Sequence, residues 1–260
     1  MIRSAALLTA IALLGACAAR DPAAPEPAPT RVLVYVQSAG YEHGVAKRSE
    51  KDGLSLVERQ WQAWAVEDER LSVTCWNAST QFTAEWLARF DAVFFYTTGE
   101  LPIPLAGRQA LLDWVDAGGA FTGAHCATDT YYDWAPWGDL IGGYFDGHPW
   151  HEEVGITVED TAHPSTRHLG DAFRITDEIY QFKAPYARDR QHVLLTLDTS
   201  SVSLDKPTVK RTDRDFAISW TREQGAGRVF YTALGHRPDV WQDPRFRRHI
   251  IEGIRWAANR

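Results

Sequence analysis

Four short apolar runs alternate with amphipathic segments between residues 31 and 124, and this alternation constrains the fold more than any other feature of the chain. Residues 31–37, 71–76 and 91–96 are rich in β-branched and aromatic residues and have the length of strands. Residues 119–124 form a fourth run, small and apolar, after the pair Gly118-Gly119. Between the runs, residues 49–65 place Leu54, Val57, Trp61 and Trp64 at three- and four-residue spacings, the mark of an amphipathic helix. Residues 83–87 read as a capped helical turn. Residues 105–117 carry Leu111, Leu112 and Val115 on one face before the glycine pair ends the helix. Strands and helices that alternate with short connections specify a parallel sheet covered on both faces. The expected fold is therefore α/β: three layers, α/β/α, on a mostly parallel sheet of flavodoxin-like type.

Beyond residue 129 the pattern changes. Residues 131–137 and 144–151 are aromatic loops on either side of a helical turn at 140–143, and residues 153–159 alternate like an exposed strand. Residues 193–197, 216–220 and 228–234 read as strands, and residues 244–258 as a closing helix. No internal repeat is evident.

The chain opens with Met1-Ile2-Arg3-Ser4, continues without charge from Ala5 to Leu14 and reaches Leu14-Gly15-Ala16-Cys17. That is the pattern of a secretory signal, its apolar stretch too short to span a bilayer comfortably. Leu-Gly-Ala-Cys resembles the lipobox of bacterial lipoproteins, in which the cysteine is lipidated and becomes the first residue of the mature chain. The resemblance implies a lipoprotein signal peptide over residues 1–17, lipidation of Cys17 and a membrane partner reached through the lipid. Ala18 after the cysteine points to the outer membrane, facing the periplasm. Residues 18–30, with Pro22, Pro25, Pro27 and Pro29 among alanines, cannot build a core and read as an extended tether. Residues 31–260 remain as one globular domain.

The balance of 27 Lys and Arg against 34 Asp and Glu, with no basic run, gives no footing for nucleic acid. Cys75 and Cys126 sit in apolar, strand-like surroundings, where a small buried hydrophobe is the expected role rather than a disulfide. Eleven Trp and nine Tyr residues suit a cleft that stacks on sugar rings, although aromatic residues also fill ordinary cores.

The histidines carry the sharper signal. His43, His125 and His236 each follow the carboxyl end of an expected strand by a few residues. Those ends share one edge of a parallel sheet, so three residues distant in sequence should meet in one cleft. Asp129, His148, Glu178 and Tyr180 lie in polar or aromatic segments able to cover it. Trp134, Trp137, Tyr144 and Trp150 offer stacking surfaces. His151-Glu152-Glu153 reads as a solvated edge, and His163, His168, His192 and His249 as surface or packing residues.

Gly123-Ala124-His125-Cys126-Ala127 also invites comparison with a nucleophile elbow, where a strand turns sharply into a helix and projects its middle residue. Histidine holds the middle position here, and Cys126 comes one residue late. Adjacent side chains on extended backbone face opposite ways, so Cys126 should point away from whatever His125 faces. Amidotransfer or peptidase chemistry at a cysteine is thereby disfavoured.

Four segments taken together, residues 118–125, 142–149, 177–180 and 231–236, resemble the trehalose-utilisation (ThuA-like) family over nearly all of residues 31–260. The resemblance implies a class I glutamine amidotransferase-like fold without that superfamily's cysteine nucleophile. It also implies a part in carbohydrate catabolism, including 3-keto disaccharides. By position it assigns function to His43, His125, Asp129, His148, Glu178, Tyr180 and His236. The expected activity is cleavage or conversion of a 3-keto glycoside, a small sugar substrate, with His125 or His236 as base and Glu178 or Tyr180 assisting the leaving oxygen. Substrate contacts are expected from His43, Asp129, His148, Tyr180, Trp134 and Tyr144. A divalent metal such as zinc on His43, His125 and His236 would offer a Lewis-acid route. A sugar-binding module without turnover is the alternative of a different class.

Overall fold

The computed structural model describes residues 28–259, so the signal-like segment, Cys17 and most of the tether lie outside the described residues. The chain runs through β1 (Thr30–Ser38), α1 (Leu56–Glu67), β2 (Leu71–Trp76), α2 (Ala84–Leu87), β3 (Ala92–Thr98), α3 (Leu105–Asp116) and β4 (Ala120–Ala124). A 3-10 turn over His125–Thr128 leads to α4 (Ala135–Ile141), β5 (Tyr144–Phe145), β6 (Trp150–Val158), β7 (Ala172–Ile179) and β8 (Phe182–Lys183). β9 (His192–Leu197), β10 (Ala217–Gln224), β11 (Gly227–Thr232), α5 (Pro238–Gln242) and α6 (Pro244–Ala257) complete it.

Nine strands form one sheet in the order β2-β1-β3-β4-β11-β10-β9-β6-β7, and β5 pairs with β8 apart from it. β2, β1, β3, β4 and β11 are mutually parallel, as the alternating pattern requires. The pairings from β11 through β10, β9 and β6 to β7 are antiparallel. Successive reversals return β9 and β7 to the direction of β11, so seven of the nine strands point the same way. The carboxyl end of β7 and the start of β6 therefore share an edge with the ends of β1, β4 and β11.

Strand alternation divides the core in two. On β1, Val32, Val34 and Val36 face one side, with Val57, Trp61 and Trp64 of α1 and Phe246, Ile250 and Ile254 of α6. Leu33 and Tyr35 face the other, with Leu111 and Val115 of α3 and Trp137, Leu140 and Ile141 of α4. Each layer of helices thus seals one face, and the three-layer expectation holds.

Among the differences from the sequence reading, α4 begins at Ala135, inside the residues read as an aromatic loop, and stops at Gly142, and two further elements change for identifiable reasons. α1 starts at Leu56 rather than residue 49, because Ser55 and Glu58 form a capping box: Ser55 Oγ accepts from Glu58 N at 3.2 Å and Glu58 accepts from Ser55 N at 2.8 Å. Residues 49–54 instead close a turn, with Ser49 N donating to Leu54 O at 3.0 Å. The segment from residue 172 to 179, charged and without clean alternation, is strand β7; its long antiparallel pairing with β6 supplies the backbone bonds that its side chains did not advertise.

That pairing places the site. β6 joins β9 only through Ile156, Thr157 and Val158, whereas it pairs with β7 along its length. The first half of β6 and the last half of β7 therefore run past the end of β9 as a ribbon at the carboxyl edge. Buried Trp150 anchors the ribbon, its ring edge-on to Phe216 at 4.9 Å and its indole N–H donating to Ser203 O at 2.9 Å.

Candidate functional site: a histidine and carboxylate cleft

His125 is built into a strained turn. It takes φ of 47°, a conformation that costs a non-glycine residue about 1–3 kcal/mol and persists only when its surroundings enforce it. The enforcement is visible. Tyr231 Oη donates to the His125 carbonyl at 2.7 Å, and the ring Nδ1 meets the Ala233 carbonyl at 2.8 Å. A carbonyl only accepts, so Nδ1 carries the proton and Nε2 of the neutral ring presents a lone pair. Gly123 leaves room for the turn: a Cβ there would lie 2.8 Å from Ala127 Cβ. The elbow expectation is met, with histidine at its apex.

Cys126, next in the turn, is buried in the core cluster that holds Val34 and Ile254 and does not line the cleft. Burial pushes its thiol pKa well above the ordinary value, and the nearby Asp129 charge adds to the effect. Burial likewise raises the Cys75 thiol to about 12, and neither cysteine is in a disulfide.

Four groups surround His125 Nε2. Tyr180 Oη lies 2.9 Å away, His236 Nδ1 3.2 Å and Glu178 Oε2 3.4 Å. His236 Nδ1 and Glu178 Oε2 are themselves 3.2 Å apart. His43, in the loop after β1, sets its buried ring edge-on to His125 at 4.9 Å and to His236 at 5.3 Å. One donor atom from each of His43, His125, Glu178 and His236 lies within 4.8 Å of the others. The three strand-end histidines do meet.

Asp177 holds β7 in place. Its buried carboxylate accepts from Gly235 N at 2.7 Å and from Arg237 N at 3.2 Å, tying the end of β7 to the loop that carries His236. Glu178, next along the strand, faces the cleft. Burial favours its neutral form, but the neighbouring His125 and His236 imidazoles outweigh this and hold its carboxyl well below the ordinary range. The same hydrogen bond to Glu178 raises His236 above its ordinary value, against burial. His43 is driven down to about 3, by burial first and then by the neighbouring imidazoles. Burial lifts the Tyr180 hydroxyl far above its usual range, so it stays protonated. Burial also raises Asp129, although Tyr132 Oη donates to it at 2.7 Å.

These residues open onto a cleft of about 500 Å³ lined by Asp129, His148 and Tyr180 as expected, and also by Tyr41, Phe145 and His151. His148 Nδ1 lies 3.5 Å from Glu178 Oε1. His151 belongs to the site rather than to a solvated edge: the β6–β7 register sets it opposite Glu178, and its Nδ1 lies 4.0 Å from Glu178 Oε1. Only the pairing of the two strands could reveal this. Tyr41 was not singled out in the sequence; its place two residues before His43 in the same loop is the signal that could have found it.

Trp134 and Tyr144 are placed elsewhere. Trp134 packs against Tyr131 and under Arg108, and Tyr144 Oη donates into the turn at Tyr131 O and accepts from Gly138 N at 3.0 Å. Trp137 and Trp150 are wholly buried. The aromatic loops thus build the cleft's walls from behind, and the rings that reach the cleft are Tyr41, Phe145 and Tyr180. His163, His168, His192 and His249 lie apart, bonded to Ser165, Arg245, Asp160 and Ser165 respectively.

A strained turn after a central parallel strand, setting its buried apex residue just beneath a cleft at the carboxyl edge, defines a glutamine amidotransferase-like α/β protein; histidine holds the apex in place of a thiol. Within that class the chain belongs to the ThuA family, whose model, described as trehalose utilisation, matches residues 31–257. A ThuA-like protein from Bacteroides uniformis shares the fold with a TM-score of 0.68 at 21% identity, covering 92% of this chain and 95% of that one. A ThuA-like protein from Parabacteroides merdae gives a TM-score of 0.68 at 18% identity, covering 88% of this chain and 90% of that one. The β-galactosidase from Bacillus circulans sp. alkalophilus has a TM-score of 0.52 at 12% identity, covering 87% of this chain and 31% of the enzyme. Among curated proteins none matches the sequence significantly.

Proposed function

We propose that this protein cleaves oxidised, 3-keto glycosides by acid and base catalysis in the histidine cleft. The observation that carries the reading is the meeting of His125 Nε2, whose lone pair faces the Tyr180 hydroxyl at 2.9 Å, with a carboxylate-held imidazole, His236, at 3.2 Å directly beneath a cleft that His236 and Tyr180 line. The family's description supports a carbohydrate substrate.

A ketone at C3 acidifies the C2 proton and makes the C1 oxygen a β-leaving group. His125 Nε2 takes the C2 proton, and the electron pair becomes the C2–C3 enolate. The enolate then reforms the ketone, makes the C1–C2 double bond and expels the glycosidic oxygen, which receives a proton from His236. The products are a 1,2-unsaturated 3-keto sugar and the free alcohol. Glu178, held ionised, suits the role of charge partner to His236 better than that of an acid. Tyr180 keeps its proton and supplies a donor at the enolate oxygen or the leaving oxygen.

The lipobox-like Leu14-Gly15-Ala16-Cys17 supports an exported protein, lipid-anchored in the cell envelope through Cys17. The proline-rich residues before β1 would let the cleft meet small sugars in the periplasm. The test is release of free sugar from 3-keto-trehalose or a 3-keto-glucoside by purified protein, beside the unoxidised sugars. Product from the keto forms alone is expected. Tight binding without product would favour a sugar-binding module, and equal cleavage of unoxidised glycosides would remove the keto-dependent mechanism.

A further inference from the structure

The donor atoms at the floor of the cleft do not satisfy one another as hydrogen-bonding groups. Nδ1 of His125 spends its proton on Ala233 O, so Nε2 and the Glu178 Oε2 facing it at 3.4 Å are both acceptors. His236 Nδ1, 3.2 Å from each, has one proton to share between them. His43 Nδ1 is buried and has no hydrogen-bond partner. Nε2 has the Tyr180 hydroxyl as a donor at 2.9 Å, yet acceptors crowded together in a buried place still repel one another, and a cation satisfies all of them together.

The distances fit a metal. Bonds of about 2.0–2.1 Å in a tetrahedron set neighbouring ligand atoms about 3.3–3.4 Å apart. The three separations among His125 Nε2, His236 Nδ1 and Glu178 Oε2 are 3.2, 3.2 and 3.4 Å. His43 completes four donors within 4.8 Å of one another, so it closes the set by a small inward movement. The supporting shell has the arrangement metal-binding histidines use, with the far ring nitrogen of His125 held by a backbone carbonyl.

We infer that His43, His125, His236 and Glu178 form a mononuclear site for a divalent transition-metal ion of the zinc type at the floor of the cleft. Three imidazoles and one carboxylate favour such an ion over magnesium or calcium, which take oxygen donors. The site adds Glu178 to the three histidines legible in sequence. When His125 Nε2 is engaged by the ion, the Tyr180 hydroxyl is released from that nitrogen and becomes available to a ligand in the cleft. The site uses the His125 Nε2 lone pair that the proposed glycoside cleavage needs as its base, so that cleavage belongs to the metal-free protein; the site itself stands on donor geometry and does not require that activity.

The experiment is titration of Zn²⁺ into chelator-stripped full-length protein, read by calorimetry and by competition with a chromophoric chelator. One ion per chain is expected, with magnesium and calcium failing to compete. Loss of an outer partner alone costs about 10–100-fold in affinity, so His43→Ala and Glu178→Gln should each weaken Zn²⁺ at least about 10-fold. His192→Ala, exposed and paired with Asp160, should leave affinity unchanged. Circular dichroism of each variant checks folding, and the visible spectrum of Co²⁺-loaded protein, altered by His43→Ala, gives a second readout. No Zn²⁺ binding, or binding that neither cleft substitution moves, overturns the inference. Zinc at this site, with no keto-glycoside cleavage by the chelator-stripped protein, would sink only the functional proposal. Cleavage by protein that binds no zinc would sink only the metal site.

Discussion

Asp177 grips the backbone of Gly235: Oδ2 accepts from its amide at 2.7 Å, deep in the protein, and so fastens the end of β7 to the loop that carries His236. Asp177→Ala leaves the amides of Gly235 and Arg237 without this acceptor. We expect a loss of about 1–3 kcal/mol of stability, seen as a lower urea midpoint at unchanged slope. A fall in activity larger than the fall in folded fraction is also expected, because Glu178 and His236 lose their shared frame.

The pair Glu178–His236 sets a pH window. Glu178 is held below its ordinary value of 4.5, so its contribution is complete above that pH and is lost as pH falls through the lower folded value. His236 is held above 6.5, so its contribution is complete below that pH and is lost as pH rises through the higher folded value. Both operate fully between about 4.5 and 6.5. In chelator-treated protein, the destabilisation by Glu178→Gln should be largest in that window and shrink toward alkaline pH. A penalty that grows from neutral to alkaline pH would contradict the pairing.

Gly123→Ala tests the elbow. The added methyl meets Ala127 Cβ at 2.8 Å, so the turn must shift and His125 with it. A loss of about 1–3 kcal/mol is expected, with reduced activity. Ala127→Gly in the same chain should restore a good part of both, a coupling that a double-mutant cycle measures directly.

Cys126 should be inert. Buried, and with its pKa raised, the thiol should resist alkylating reagents in native protein and react once the chain is unfolded. Cys126→Ala should keep full turnover at a stability cost of about 1 kcal/mol. Rapid labelling of Cys126 that abolishes activity would instead restore thiol chemistry to the elbow.

The parallel half of the fold and the meeting of His43, His125 and His236 were legible because strand ends in such a sheet share an edge, a consequence of local pattern alone. The elbow was legible from Gly123 and Ala127. Glu178 and Tyr180 were reached only as members of polar or aromatic segments able to cover the cleft, and then by family resemblance, since β7 has no strand-like alternation and owes its conformation to β6. His151 was misread for the same reason: its neighbour across the ribbon is 27 positions away in sequence. Trp134 and Tyr144 were expected on the cleft because aromatic loops beside a site suggest stacking, yet such rings equally well wall it from behind. Periodicity cannot separate a ring that lines a cavity from one that supports it.

The central claim, that His125 removes a proton from C2 of an oxidised sugar, is tested most directly with a 3-keto-glucoside deuterated at C2. A primary isotope effect on kcat/KM in the native protein, with turnover lost in folded His125→Ala, is the predicted result. Turnover without an isotope effect and undiminished in His125→Ala would contradict it.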